Sequence, residues 1–408
     1  MVRLRGGRVV TPGGVLDGHA VVIADGAIAA IEPDTAAAAA GDVACTGCWI
    51  LPGFVDVHVH GAHGVDVLGG GDAVARVAAA LPASGVTSFL PTSVACPPEP
   101  LAAFLAAVEV EAAAGRPGAA RVLGAHLESN FIAPDYKGAQ PARCLRRPPA
   151  PGEPLRRDGD FTGAAILAVI DAHRDGVRIV TLAPELPGAL DLVARLTAAG
   201  HRVSMGHSGA SFEQGLAAVE AGVRHATHLF NRMPPLSHRA PGLAGAALAA
   251  PDVVCEVIVD GVHVHAALLA LAVKAKGPGG VAAITDGTAG AGLAVGATAA
   301  LGEHVIHVRA DRAELADGTL AGSVATMDGV FRRLVHEVGL SVPEAARLTA
   351  TTPADTVNRP DLGRLERGAA ADLVVLDRGF TVNQTWVAGR LAWNSGGTGA
   401  VSPAEVLR

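Results

Sequence analysis

The sequence predicts an α/β fold: a parallel (β/α)8 barrel of the TIM type, with a small β-sandwich domain formed by both chain ends. Three observations predict it. Over residues 51–354, short apolar runs alternate with helical stretches of about 10–15 residues, the pattern of βα units around a parallel sheet. Five of those runs end in a metal-ligand side chain, and a barrel delivers such groups from its strand ends to one shared mouth. The two chain ends carry short β-branched strands instead, and neither end alone can bury a sheet face.

Residues 1–50 read as strands at Arg8-Val-Val, Ala20-Val-Val-Ile-Ala and Ala27-Ile-Ala-Ala-Ile, bounded by Gly and Asp. The first barrel run is Leu51-Pro-Gly-Phe-Val-Asp-Val-His-Val-His60. A helix over 72–81 and a strand from Thr87 follow, then a helix over 100–114 and the run Arg121-Val-Leu-Gly-Ala-His-Leu-Glu128. Helices over 161–172, 190–199 and 212–221 alternate with strands starting at Val177, ending at His207 and ending at His228. The strand Val254-Cys-Glu-Val-Ile-Val-Asp260, a helix over 266–276 and the run Val281-Ala-Ala-Ile-Thr-Asp286 complete the alternation. Residues 129–160 interrupt it with Pro134, Pro141, Pro148, Pro149, Pro151 and Pro154; a long irregular insertion in a compact domain reads as a lid or binding loop. Residues 287–325 form a second Gly- and Ala-rich excursion. Strand patterns return at Ala371–Asp377, Thr381 and Thr385, so the domains are expected at 1–50 plus 355–408 and at 51–354.

At 408 residues, half of them hydrophobic, the chain can bury a large barrel and an accessory domain. A net charge of −7, with no basic stripe and 3% aromatic residues, argues against a nucleic-acid surface. The odd number of cysteines at irregular spacing argues against a disulfide framework, and the lone pair Cys45 and Cys48 reads as two ordinary thiols. No signal core or bilayer-length apolar stretch is found, so a soluble, cytoplasmic protein without a membrane partner is expected.

His58 and His60 are two apart on a strand and so share a face, from which both can reach one ion. Glu128 ends an apolar strand, where a carboxylate is costly unless paired or ligated. His207 lies among small residues that allow a ligand close approach. His225, three residues from His228, cannot share its strand face and reads as structural. Asp286 sits in an Asp-Gly step at the last barrel strand, where a carboxylate can move a proton for water activated by a metal.

These residues sit in longer strings. Pro52-Gly-Phe-Val-Asp-Val-His-Val-His-Gly61, His126-Leu-Glu128, Gly206-His-Ser208, Thr227-His-Leu-Phe-Asn-Arg-Met-Pro-Pro235, Arg239-Ala-Pro-Gly-Leu-Ala-Gly245, Asp260-Gly-Val-His263, Thr285-Asp-Gly287, Leu320-Ala-Gly-Ser323 and Gly368–Asp377 run through essentially the whole chain. With them the sequence resembles the N-acetylglucosamine-6-phosphate deacetylase family of the amidohydrolase superfamily. The resemblance implies hydrolysis of an N-acetyl group from an amino sugar phosphate, with one or two divalent ions, zinc first, or iron, manganese or cobalt. It implies one ion on Glu128, His207 and His228, and a second on His58, His60, Glu128 and Asp286. Asp286 would also be general base and then acid. His263 and Arg239 would grip the 6-phosphate, Arg239 from the neighbouring subunit of a homodimer. Asn231 would touch the sugar or phosphate, Arg232 would add charge beside it, and Ser323 would belong to the substrate site.

Three departures stand against the family pattern. Ser129-Asn130 replaces Gly-Pro after the glutamate; Gln140 stands where a histidine helps polarise the acetyl carbonyl; Arg232 stands where a small residue is common. A Gln amide can still donate a hydrogen bond but cannot be cationic. They leave N-acetylgalactosamine 6-phosphate, or another N-acetylated amino sugar, open as substrate. A catalytically silent sugar-phosphate sensor is disfavoured, because six ligand-type side chains at one mouth are expensive to keep without a cation.

Overall fold

A computed structural model describes residues 1–396; the expected continuation of the small domain over 397–408 lies outside the described residues. Eight parallel strands follow one another around the barrel: β1 (Phe54–Val59), β2 (Val86–Ser93), β3 (Ala125–Glu128), β4 (Val177–Leu182), β5 (Arg202–Met205), β6 (His225–Ala226), β7 (Val254–Ile258) and β8 (Val281–Ile284). The seam between β8 and β1 closes just beyond the strands. There the N–H groups of His60 and Gly61 donate to the Gly287 carbonyl at 2.8 and 3.0 Å, and the Thr285 hydroxyl donates to the buried Asp56 carboxylate at 2.5 Å.

Eight helices pack around the strands: α1 (Ala73–Ala80), α2 (Pro98–Ala114), α3 (Gly163–Ala172), α4 (Ala189–Ala198), α5 (Phe212–Ala221), α6 (Gly242–Ala249), α7 (Ala266–Lys276) and α8 (Met327–His336). Local sequence sets their ends. Helix α2 starts two residues earlier than the pattern suggested, because proline is well tolerated in the first turn, and it stops at Gly115, whose φ of +53° suits glycine. Ser211 and Gln214 form a capping box at the start of α5. Helix α8 buries Met327, Val330, Phe331 and Leu334, a 3.6-residue stripe, and Phe331 stacks on Phe54 of β1 at 5.5 Å. Inside the ring, Val55, Val57, Leu90, Ile179, Ile258 and Ile284 pack on Ala354, from the short helix Thr352–Thr356 that comes after α8, and on Val357 and Leu362 beyond it, which together plug the floor.

The chain ends form two sheets that share one apolar core. One orders Ala27–Pro33, His19–Ala24, Val2–Arg5 and Val43–Ala44; the other orders Arg390–Asn394, Val382–Val387, Leu373–Leu376, Trp49–Pro52, Arg8–Thr11 and Gly14–Leu16. The two termini meet where Trp49–Pro52 runs antiparallel to Leu373–Leu376, with Ile50 opposite Val375. Leu4, Val9, Val21, Ile23, Ile50, Val375 and Trp386 fill the space between the sheets. Residues 129–160 make two 3₁₀ turns and a short ribbon pairing Arg156–Arg157 with Asp160–Phe161. The excursion over 287–325, which the sequence pattern did not resolve, carries a three-stranded antiparallel sheet.

Candidate metal centre

The carboxyl ends of β1, β3 and β8 and the turns after β5 and β6 bring six side chains together at the barrel mouth. Glu128 lies at the centre. Its Oε1 is 2.7 Å from His207 Nε2 and 2.9 Å from His228 Nε2, and those two nitrogens are 3.0 Å apart. Across the carboxylate, His58 Nε2 and His60 Nε2 are 3.2 Å apart, and Asp286 Oδ1 lies 3.4 and 3.2 Å from them. Glu128 also faces this pair, at 3.9 Å from His58 and 3.7 Å from His60. All six residues are buried. His207, His228 and Asp286 have φ values of +48°, +30° and +52°, in the left-handed region that few non-glycine residues adopt but that His and Asp enter more readily than most.

The donor set fits a divalent cation. The Nδ1–H groups are directed outwards: His60 to the Thr92 carbonyl at 3.0 Å, His207 to the Tyr136 carbonyl at 2.8 Å, and His58 to Glu256 Oε2 at 3.0 Å. Neutral imidazoles so tied turn bare Nε2 lone pairs inwards. Those lone pairs face carboxylate oxygens across 2.7–3.9 Å, which is repulsive unless a proton or cation lies between. The edges of the His58–His60–Asp286 triangle are 3.2–3.4 Å. A tetrahedral ion with ligand bonds of ~2.0–2.1 Å has edges of about 3.3 Å. Each of the trios His58–His60–Glu128 and Glu128–His207–His228 keeps its ligand atoms within 4.8 Å of one another.

Electrostatics point the same way. Burial opposes charge on Glu128, but His207 and His228 hold its carboxyl well below the usual range. Burial likewise opposes charge on His58, but Glu256, Asp286 and Glu128 pull it up to about 10. The centre thus favours positive charge, and a cation competes with protons for it.

A cavity of about 440 Å³ opens over these groups, and its wall includes Gln140, Asn231, Arg232 and His263. Gln140 accepts the Ala95 N–H on Oε1 at 2.7 Å, which orients the amide so that Nε2 donates to Glu128 Oε2. His263 is held by Asp260, with Nδ1 2.7 Å from Oδ2, while the N–H groups of Val262 and His263 bond Asp260 Oδ1 at 2.9 Å. Asn231, in the cavity wall, directs its amide nitrogen to the carbonyls of His228 and Leu229 at 3.2 and 3.3 Å. Arg232 reaches over Gly138, whose φ of +60° and missing Cβ make room for the guanidinium stem.

Ser323, expected in the substrate site, lies outside the cavity wall, and Arg239 lies where it could serve only a neighbouring copy, as expected of it. Ser323 is fully buried with its hydroxyl donated to the Thr285 carbonyl at 2.6 Å; it braces the Asp286 turn, and Gly322 takes the place in the cavity wall. Arg239 is exposed and outside the cavity of its own chain. The Ser129-Asn130 departure also turns away from the cavity. Ser129 donates to the Thr181 carbonyl at 2.6 Å, and Asn130 donates to the carbonyls of Cys96 and Cys144 at 2.8 and 2.7 Å. These residues anchor the insertion and are not part of the cavity wall. His225 is structural: its Nε2 donates to Glu256 Oε1 at 2.9 Å. Glu256 escaped sequence reasoning, although a lone acid inside Val254-Cys-Glu-Val-Ile was a signal of the kind that singled out Glu128.

A closed parallel barrel with a mixed imidazole–carboxylate cluster at its mouth defines a metal-dependent hydrolase. Residues 49–392 match the amidohydrolase family. The N-acetylgalactosamine-6-phosphate deacetylase of Escherichia coli O157:H7 is 35% identical over 394 residues, 95% of this chain and 98% of that protein. The N-acetylglucosamine-6-phosphate deacetylase of Bos taurus is 37% identical over 362 residues, 86% of this chain and 84% of that protein. A mutant N-acetyl-D-glucosamine-6-phosphate deacetylase from Mycobacterium smegmatis, solved in complex with N-acetyl-D-glucosamine-6-phosphate, superposes with a TM-score of 0.87 at 34% identity, covering 96% of this chain and 99% of that one. The chain belongs to the amidohydrolase family, in its N-acetylglucosamine-6-phosphate deacetylase branch. No helix among the described residues is long and apolar enough to cross a membrane.

Proposed function

We propose that this protein hydrolyses the N-acetyl group of N-acetylglucosamine 6-phosphate, giving glucosamine 6-phosphate and acetate. The observation that carries the reading is the Glu128–His207–His228 trio facing Asp286 and the His58–His60 pair inside a sugar-sized cavity. Zinc is the first candidate, with two ions per chain, because the donors are imidazoles and carboxylates in two adjoining sets. A bound divalent ion would acidify water towards a pKa of about 7 and polarise the amide carbonyl.

The chain's own residues do the rest. Asp286 takes a proton from the attacking water as the C–O bond forms, then gives it to the departing nitrogen as the C–N bond breaks. Gln140 has a second amide N–H beyond the one on Glu128, and it can hold the acetyl oxygen. His263, kept rigid by Asp260, and Arg232 present donors to the 6-phosphate, and Asn231 Oδ1 meets a sugar hydroxyl. Arg239 of a second copy would complete the phosphate grip in a homodimer, and the enzyme would act in the cytoplasm. N-acetylgalactosamine 6-phosphate is the second reading, carried by the Escherichia coli relative matched along 98% of its length.

Acetate release from a panel of both sugars, each with and without the phosphate, tests the proposal. Turnover confined to phosphorylated sugars is expected. Preference for an unphosphorylated sugar would remove His263, Arg232 and Arg239 from their roles. Sedimentation of wild type and Arg239→Ala, beside their KM values, tests the shared site.

A further inference from the structure

We infer that Glu256, which is not part of the cavity wall, is a positioning residue that sets the affinity of the His58–His60 ion position. The inference rests on the two-ion reading above. Glu256 is fully buried in the middle of β7. Its Oε2 accepts from His58 Nδ1 at 3.0 Å and from the His228 backbone N–H at 3.2 Å, and its Oε1 accepts from His225 Nε2 at 2.9 Å. One carboxylate therefore ties β1, β7 and the turn after β6 together. It forces the His58 tautomer that bares Nε2, and it pins the backbone of His228 in its left-handed turn.

The four imidazoles differ in this respect. His60 and His207 lean on backbone carbonyls, which no side-chain change removes. His228 Nδ1 has no hydrogen-bond partner among the described residues. Only His58 depends on a side chain for its orientation. His126 adds nothing in its place: its Nδ1 donates to the Val57 carbonyl at 2.9 Å, and its Nε2 meets the Thr181 hydroxyl at 2.8 Å.

The geometry also ranks two substitutions. Glu256→Ala leaves His58 free to turn or change tautomer. Glu256→Gln can keep its oxygen towards His58 and His228, because the latter is an obligate donor. Its NH₂ then faces His225 Nε2, and His225 can move its own proton to Nδ1, which has no partner in the native arrangement. Outer partners of metal-bound histidines are worth about 10–100-fold in metal affinity.

The test is metal stoichiometry by elemental analysis and zinc affinity by competition with a chelating dye, for the full-length wild type, Glu256→Gln, Glu256→Ala and Val257→Ala. Val257 is a buried neighbour on β7 and controls for lost packing. We expect two ions in wild type and in Val257→Ala. The second ion is expected to bind about 10–100-fold more weakly in Glu256→Ala, with recovery of most of that loss in Glu256→Gln. Wild type holding fewer than two ions overturns the two-ion reading. Wild type and Glu256→Ala both holding two ions with equal affinities overturn the role of Glu256 alone, as does an equal loss in Val257→Ala.

Discussion

Replacing Asp286 with asparagine separates proton transfer from metal binding. The residue stands at φ +52°, which Asp and Asn both tolerate, so the turn survives the change. The Asp286 carbonyl still accepts the Ser323 N–H at 2.8 Å. What is lost is a base and a negative charge 3.2 Å from His60 Nε2 and 3.4 Å from His58 Nε2. A positioned general base contributes about 10²–10⁴-fold, so kcat should fall by that factor, about 3–5 kcal/mol of activation free energy. The Glu128–His207–His228 trio does not include Asp286, so elemental analysis should still find at least one ion per chain. Acetate release under saturating substrate measures the loss. A variant retaining more than about a tenth of wild-type kcat would refute the assignment of Asp286 as the proton carrier, since a base worth less than tenfold is outside the range for such groups.

Ser129→Ala leaves the Thr181 carbonyl and the Phe131 N–H without their buried partner, so stability should drop by about 1–3 kcal/mol while the kcat/KM ratio between the two phosphorylated sugars stays constant; a changed ratio would put Ser129 in substrate choice after all. Burial raises Asp56 from 3.8 to about 7, against the bonds from Thr285. The folded chain therefore keeps a proton that the unfolded chain releases, and the stability from it is complete below about pH 3.8 and lost as pH rises through about 7. Denaturant midpoints of wild type relative to Asp56→Asn should fall across that window, and a constant difference would contradict this. Chelation should lower the melting temperature, and restoring zinc at a hundred times Kd should return about 2.7 kcal/mol; an unchanged melting temperature would show that the cluster holds no ion in the folded state.

The parts of this molecule legible in the sequence are those where a costly residue type marks a position. Glu128, His207 and His228 interrupt apolar or small-residue runs, and a buried acid or imidazole has few reasons to be there. The βα alternation was legible because helices such as α4 keep an apolar stripe, with Leu192, Val193 and Leu196 buried, whereas α6 and α8 were not read from the sequence. Features that depend on backbone partners were not. The seam closes on the Gly287 carbonyl, a backbone group that leaves no residue pattern, and β6 covers only His225–Ala226, stopping short of the strand end expected at His228. The sheet beyond β8 pairs Thr298–Leu301, rich in alanine, whose strand character comes from its partners rather than its composition. Ser129 follows a metal-type ligand yet faces the other way, as neighbours on an extended chain do, and Asn130, beyond the strand end, is turned to the carbonyls of Cys96 and Cys144. Of the residues expected at the phosphate, His263 and Arg232 stand in the cavity wall, while Arg239 is exposed outside it, as the reading that assigns it to a neighbouring subunit requires.

Anomalous diffraction from crystals of the protein, with the same preparation shown to release acetate, tests the central claim most directly. The account predicts a strong peak ~2.0–2.2 Å from Glu128 Oε1, His207 Nε2 and His228 Nε2. An active preparation with no peak among these three side chains, or with the peak bound elsewhere on the barrel, would contradict it.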